Sequence, residues 1–186
     1  MDKPEDCVLL EVLNIAESNK SANAYVLILG DPEEHRHLPV IIGAAEAQSI
    51  AIELKGMSVP RPMTHDLFVN LVNHTSFSLL YTEIYREVEG IYYANLVYSD
   101  GDSSFELDAR TSDAVAIALR CSVPIYIKKK VLERNAVNYR KDNDTFQLEI
   151  EEEDEEELKA GLAKAIEEED YELAAQLRDK LKHLKS

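Results

Sequence analysis

Between Glu149 and Glu157 eight of nine residues are acidic. Like charges at that density repel one another and leave too little apolar surface to bury, so the run cannot build a core of its own. It is a linker between two folding units, or the frayed start of a helix. Residues 1–145 then form one domain, near the common domain size of about 100–150 residues. Residues 146–157 are the acidic linker and residues 158–186 a small C-terminal unit.

Residues 149–186 hold 6 basic and 14 acidic side chains, so half of the formal net charge of −16 falls in the last fifth of the chain. An excess of this sign repels nucleic acid on average. One segment departs from the average: Lys128, Lys129, Lys130, Arg134, Arg140 and Lys141 lie within fourteen residues whose single acid is Glu133. It reads either as a phosphate-facing surface or as a solvated helix end and loop. No run of about 18 apolar residues could span a bilayer, and Met1-Asp2-Lys3-Pro4-Glu5-Asp6 is too polar for a signal peptide. Residence in the cytoplasm, with no membrane partner, is the expectation. Cys7 and Cys121 are far apart and belong to no CxxC or Cys/His pair, so both read as reduced core thiols.

Apolar, β-branched runs at 7–16 and 24–29, separated by a Ser/Asn-rich turn, predict a strand pair, and Leu38-Pro39-Val40-Ile41-Ile42-Gly43 predicts a third strand. The period then changes. Ala47, Ile50, Ala51 and Leu54 follow the i, i+3, i+4, i+7 stripe of a helix over 44–55, with Gly56 placed as a C′ glycine. Thr64 is placed to cap a second helix with Leu67, Phe68, Leu71 and Val72 on one face and Asp66 in its first turn. Residues 77–88 and 91–98 flank Glu89-Gly90 as an antiparallel hairpin, and Asp100-Gly101-Asp102 turns the chain into a third strand of a meander. Thr111 or Ser112 caps a third helix with Ala114, Ile117, Ala118 and Cys121 on one face, before a last strand at 123–127.

Strands in pairs and meanders, interrupted by helices, predict an α+β domain: a mixed, largely antiparallel sheet with packed helices. Beyond the acidic run, Leu158, Leu162, Ala165 and Ile166 form one helical stripe and Leu173, Leu177, Leu181 and Leu184 another. Asp170 suits the cap of the second helix, which predicts an α-helical hairpin. Two such helices bury only one seam between them, so self-association, docking on a protein partner or packing against the domain is expected for residues 158–186.

Polar groups concentrate at two helix entrances, Arg61-Pro62-Met63-Thr64-His65-Asp66 and Asp108-Ala109-Arg110-Thr111-Ser112-Asp113. Free N–H groups at a helix start favour anions and capping hydroxyls alike, so each place either binds phosphate or is a well-capped helix. His65, with a reference pKa of about 6.5, is the natural general acid or base if phosphodiesters are hydrolysed here, or else a buried histidine bonded to a backbone carbonyl. Asp66, Asp108 and Asp113 are oxygen donors of the kind a magnesium or manganese ion takes. Ser112 lacks the GxSxG-like turn of a hydrolase nucleophile and reads as a cap. Glu46 is a further acid of the site or a favourable charge at a helix start.

Three blocks in order, Leu38-Pro39-Val40-Ile41-Ile42-Gly43 with Glu46-Ala47, Arg61-Pro62 with Thr64-His65-Asp66-Leu67, and Asp108-Ala109-Arg110 with Ser112-Asp113-Ala114, resemble the bifunctional nuclease family over roughly residues 7–135. The resemblance implies an α+β domain, commonly self-associating as a homo-oligomer and most simply a dimer, that hydrolyses DNA and RNA. Its motif positions fall on Arg61, Thr64, His65, Asp66, Asp108, Arg110, Ser112 and Asp113. Thr111 departs from the family, which typically has proline there. Leu162-Ala163-Lys164-Ala165-Ile166 with Glu169-Asp170-Tyr171-Glu172-Leu173-Ala174-Ala175-Gln176-Leu177-Arg178-Asp179 is similar to the UVR motif, a protein-contact hairpin of the bacterial excision-repair nuclease. A bacterial, cytoplasmic protein is implied by both.

The expectation is a nuclease. His65, Asp66, Asp108 and Asp113 would be catalytic, and Arg61, Thr64, Arg110, Ser112, Lys128, Lys129 and Lys130 would hold the nucleic acid, with a divalent cation as cofactor. The alternative is a non-catalytic regulatory or adaptor protein that oligomerises and recruits a partner through the hairpin.

Overall fold

Apolar, β-branched runs give the first part of the chain its strands. The computed structural model describes residues 4–18, 23–32 and 36–138, together with Leu162 and Arg178. β1 (Cys7–Glu17), β2 (Ala24–Gly30) and β3 (Arg36–Gly43) form one antiparallel meander. β4 (Ser78–Val88), β5 (Ile91–Ser99) and β6 (Ser104–Arg110) form a second. Glu89 and Gly90 close the β4–β5 hairpin with φ of 53° and 79°. Two positive φ values in a two-residue loop match the right-handed twist of the strands.

β7 (Ile125–Lys128) joins the meanders, running parallel to β4 and antiparallel to Cys7–Leu10 of β1. The remainder of β1 pairs with β2 across an irregularity between Val12 and Asn14. A two-residue strand, β8 (Val137–Asn138), pairs with Arg36 and His37. The order is β6-β5-β4-β7-β1-β2-β3-β8, with β4–β7 the one parallel pair among the described residues. The sheet is mixed and largely antiparallel, as expected.

Four helices complete the described fold: α1 (Ala44–Leu54), α2 (Thr64–Val72), α3 (Thr111–Cys121) and α4 (Lys129–Asn135). α1 ends in a Schellman motif, with Gly56 at φ +59°, its N–H on the Glu53 carbonyl and the Met57 N–H on that of Ile52, each 3.0 Å. α3 is buried almost all round: Thr111, Ser112 and every residue from Ala114 to Ala118 are covered. It packs against both α1 and α2 as well as β4, β5 and β6. Three of those residues are alanines, whose small side chains let neighbouring backbones come close. One core joins Leu10, Leu27, Leu38, Ile50, Ile84, Leu96, Tyr98, Val115, Ile127 and Leu132.

Several local expectations need correction. Thr64 does not cap α2: Met63 occupies the cap position, and its N–H donates to Asp66 Oδ2 at 2.7 Å. The buried face of α2 is Phe68, Val69 and Val72, whereas Leu67 and Leu71 are each 65% exposed. Helical spacing cannot tell which of two adjacent stripes meets the core. Neither Thr111 nor Ser112 caps α3; Arg110 holds that position, and the Thr111 hydroxyl donates to the Tyr92 carbonyl at 3.0 Å. Thr111 is thus the first helical residue, where proline is also well tolerated, so the departure from the family leaves an ordinary helix start. The basic segment contains α4 and β8 rather than only a helix end and loop. Cys7 is a buried free thiol and Cys121 a half-buried one. Burial, with Glu83 beside it, pushes the Cys7 thiol up to about 12.

The chain divides into two compact units, Met1–Phe146 and Gln147–Ser186. The acidic linker and helical hairpin lie outside the described residues, except Leu162 and Arg178, both helical. Among the described residues no helix is long and apolar enough to cross a membrane.

Ile50 is fully buried where α1 meets the core. Ile50→Ala should cost roughly 2–5 kcal/mol, read as a lower urea midpoint at unchanged m-value. An unchanged midpoint would show that α1 is not held by this contact.

Candidate active site

The first turns of three helices meet around one histidine. Glu46 lies in the first turn of α1, His65 and Asp66 in that of α2, and Asp113 in that of α3. His65 Nδ1 faces Ser49 Oγ at 2.8 Å and its Nε2 faces Asp113 Oδ1 at 3.0 Å. The two motif stretches, 61–66 and 108–113, are thereby brought to one place. Arg110 grips Asp113 with two bonds, Nε to Oδ2 at 2.8 Å and Nη2 to Oδ1 at 3.0 Å, and reaches Glu46 Oε1 through Nη1 at 2.8 Å.

A second ion pair supports the first from below. Arg120 Nε meets Asp66 Oδ1 at 2.5 Å, its Nη1 donates to the Ala116 carbonyl at 2.9 Å, and its Nη2 reaches the Ser49 carbonyl at 3.4 Å. The Arg120 side chain is only 5% exposed. It also lines a recess of about 340 Å³ with Val69, Val72, Asn73, Ser78 and Cys121.

The electrostatics assign the protons. Burial alone would raise the Asp113 carboxyl, but hydrogen bonds from Arg110 and His65 outweigh it and hold it below its ordinary 3.8. Asp66 is held below the same value by Arg120 first, against burial, with help from the Met63 N–H. Asp113 in turn, and then Glu46, raise the Arg110 guanidinium further. An ionised Asp113 can only accept, so His65 Nε2 carries a proton. In the neutral ring Nδ1 then accepts from the Ser49 hydroxyl. Ser49 is 1% exposed, so it orients the ring from the protein side and cannot itself meet a substrate.

Arg110 is 68% exposed and spends three of its bonds on Asp113 and Glu46. A guanidinium carries five N–H groups, so two remain for an anion arriving from solvent. Arg61 and Thr64 are exposed, whereas Ser112 is buried, with 6% of its surface accessible. Two arginines, Arg110 and Arg120, are paired with three acids, Glu46, Asp66 and Asp113.

Other predicted residues do not join the network. Asp108 accepts from the Tyr85 hydroxyl at 3.2 Å. Lys128 is paired with Glu83 at 2.9 Å, and that bond holds its ammonium pKa above the usual value. Lys129 and Lys130 are exposed at the start of α4. Among the described residues no three His, Cys, Asp or Glu side chains gather into a metal-binding set. Asp66, Asp108 and Asp113 turn instead to Arg120, Tyr85 and the His65–Arg110 pair. These donors do not fit a resident cation, because the acids are apart and two of them face guanidinium groups.

Sequence reasoning missed Ser49 and Arg120 and left Glu46 between two readings. The signal was positional: Ser49 follows Glu46 by one turn of α1, and Arg120 follows Asp113 by two turns of α3.

This network makes stability depend on pH and on the Asp66–Arg120 pair. Both native carboxyls bind protons more weakly than the unfolded chain does, so their stabilisation is complete above 3.8 and is lost as pH falls through the lowered native values. Thermal melts between pH 5 and about pH 2 should show a shallower acid loss for Asp113→Asn than for wild type, and equal slopes would contradict the assignment. Asp66→Asn leaves buried Arg120 without its counter-charge and should cost roughly 3 kcal/mol in chemical denaturation. A loss well under about 1 kcal/mol would remove Arg120 as a structural strut.

The sequence profile of the bifunctional nuclease domain matches residues 27–140, and that of the UvrB/uvrC motif matches residues 156–186. An uncharacterized protein of Mycobacterium tuberculosis is 44% identical over 110 residues, 59% of this chain and 65% of its own length. Bifunctional nuclease 2 of Arabidopsis thaliana is 28% identical over 95 residues, covering 50% of this chain and 29% of its own. Bifunctional nuclease 1 of Oryza sativa subsp. japonica is 24% identical over 103 residues, covering 54% and 31%. The chain thus spans less than two thirds of the length of these relatives. With the profile covering more than half of its residues, the chain belongs to the bifunctional nuclease domain family.

Proposed function

We propose that this protein is a nuclease that hydrolyses phosphodiester bonds of DNA, RNA or both, at the network centred on His65 and Asp113. The observation that carries the reading is the 3.0 Å contact between His65 Nε2 and Asp113 Oδ1, which joins two motifs 48 residues apart beside a half-free arginine. Relatives bearing the name bifunctional nuclease support the same class of reaction.

In this reading the scissile phosphate docks on the two outward N–H groups of Arg110, with Arg61 as a second cation. Charge developing on the phosphoryl oxygens meets a fixed guanidinium, which costs no reorganisation. Oδ2 of Asp113 has a lone pair left to orient the attacking water. Water oxygen bonds to phosphorus and the bond from phosphorus to the leaving sugar oxygen breaks. His65 in its doubly protonated form donates the Nε2 proton to that oxygen while its Nδ1–H donates to Ser49 Oγ, and the proton released by water passes to Asp113 Oδ2, from which the ring is restored. Residues 156–186 would dock a protein partner, as the UvrB/uvrC motif match supports.

The test is cleavage of single-stranded DNA and RNA by highly purified full-length protein beside His65→Ala and Asp113→Asn. Removing a group that moves a proton should lower the rate by about 10²-fold or more. Parallel reactions with EDTA, magnesium or manganese test the expected divalent cation. Equal cleavage by all three preparations would mean a contaminating enzyme, and no cleavage by wild type under any condition would favour the adaptor reading.

A further inference from the structure

The basic segment builds something that the network does not use. Arg86, Lys130 and Arg134 line a recess of about 200 Å³ together with Tyr85, Glu87 and Asn135. All three cations are exposed, and among the described residues none of them enters an ion pair. Glu87, the lone acid of the lining, is occupied by the Gly90 N–H at 2.5 Å. In a chain of net charge −16, three exposed cations around one recess that holds a single acid favour an anionic occupant.

Aromatic rings lead from that recess toward the network. The Tyr85 and Tyr93 ring centroids are 6.3 Å apart, and Arg86 Cζ stands 4.2 Å over the Tyr93 ring. Tyr93 is the cross-strand partner of Arg110, the arginine that grips Asp113. Neighbouring acids are engaged: Asp108 with the Tyr85 hydroxyl, Glu106 with Asn95 at 2.6 Å, and Glu83 with Lys128.

We propose that Arg86, Lys130 and Arg134 bind a backbone phosphate of a single-stranded nucleic acid while a base of the same strand stacks on the part of the Tyr93 or Tyr85 ring left open to solvent, which leads the strand to Arg110. Cations beside half-exposed rings suit an unpaired strand, because its phosphates and bases both lie open. A duplex hides its base faces in the stack and gains nothing from the tyrosines. The inference rests on the nuclease reading for the identity of the strand, but its binding site is separate from the groups that move protons.

The test is fluorescence anisotropy of a labelled 12-nucleotide single strand with the full chain, over a range of salt, beside a Lys130→Ala/Arg134→Ala variant and Tyr93→Leu. Wild type should prefer the single strand to a blunt duplex of equal length. The double variant should bind at least about tenfold more weakly, with the salt slope reduced by about 0.7 for each phosphate no longer neutralised. Tyr93→Leu should weaken binding by about tenfold at an unchanged slope. Unchanged affinity in both variants, preference for duplex, or displacement by inorganic phosphate as readily as by unlabelled strand would overturn the inference. Variant-insensitive binding with His65-dependent cleavage would overturn it and spare the nuclease reading. Variant-sensitive binding without cleavage in any preparation would do the reverse.

Discussion

Helix α3 can lie against the sheet and two other helices at once only because Ala114, Ala116 and Ala118 keep its girth small. Larger side chains there would force its neighbours outward, since close-packed interiors absorb little extra volume. The placement of every charged group in the site depends on this fit. Asp113 reaches His65 on α2 and Arg120 reaches the Ser49 carbonyl on α1 because α3 stands between those helices. The apolar core thus positions polar chemistry at its rim without taking part in it.

At that rim, each acid is held by an arginine. Asp113 shares Arg110 with Glu46, and Asp66 takes Arg120 and a backbone N–H. Asp66 and Asp113 are each stabilised in the ionised form. The repulsion expected from overall composition is a long-range average, while the groups of this network meet one another at hydrogen-bond distance.

Much of the fold was legible because local periodicity carried it. The apolar runs of β1, β2 and β3, the Glu89-Gly90 turn and the helical stripe ending at Gly56 each follow from residue preferences within a few positions. Local reasoning failed where two solutions were locally equal. The sequence of α2 offers Leu67 and Leu71 as good an apolar stripe as Phe68, Val69 and Val72, and only contact with α3 and the core chose between them. Capping failed similarly: Thr64 and Thr111 are capable caps, but Asp66 reaches back to the Met63 N–H and Thr111 turns to Tyr92.

The sequence by itself determined the strand and helix segments, the α+β class and the polar motifs at two helix entrances, because these depend on residue type and short spacing. The tertiary structure decided which motif residues share a site. It joined His65 to Asp113, enlisted Ser49 and Arg120 from helix faces, and sent Asp108 to Tyr85 and Lys128 to Glu83. Contacts between residues 48 and 54 positions apart depend on how whole helices pack, and no spacing rule within one element encodes that.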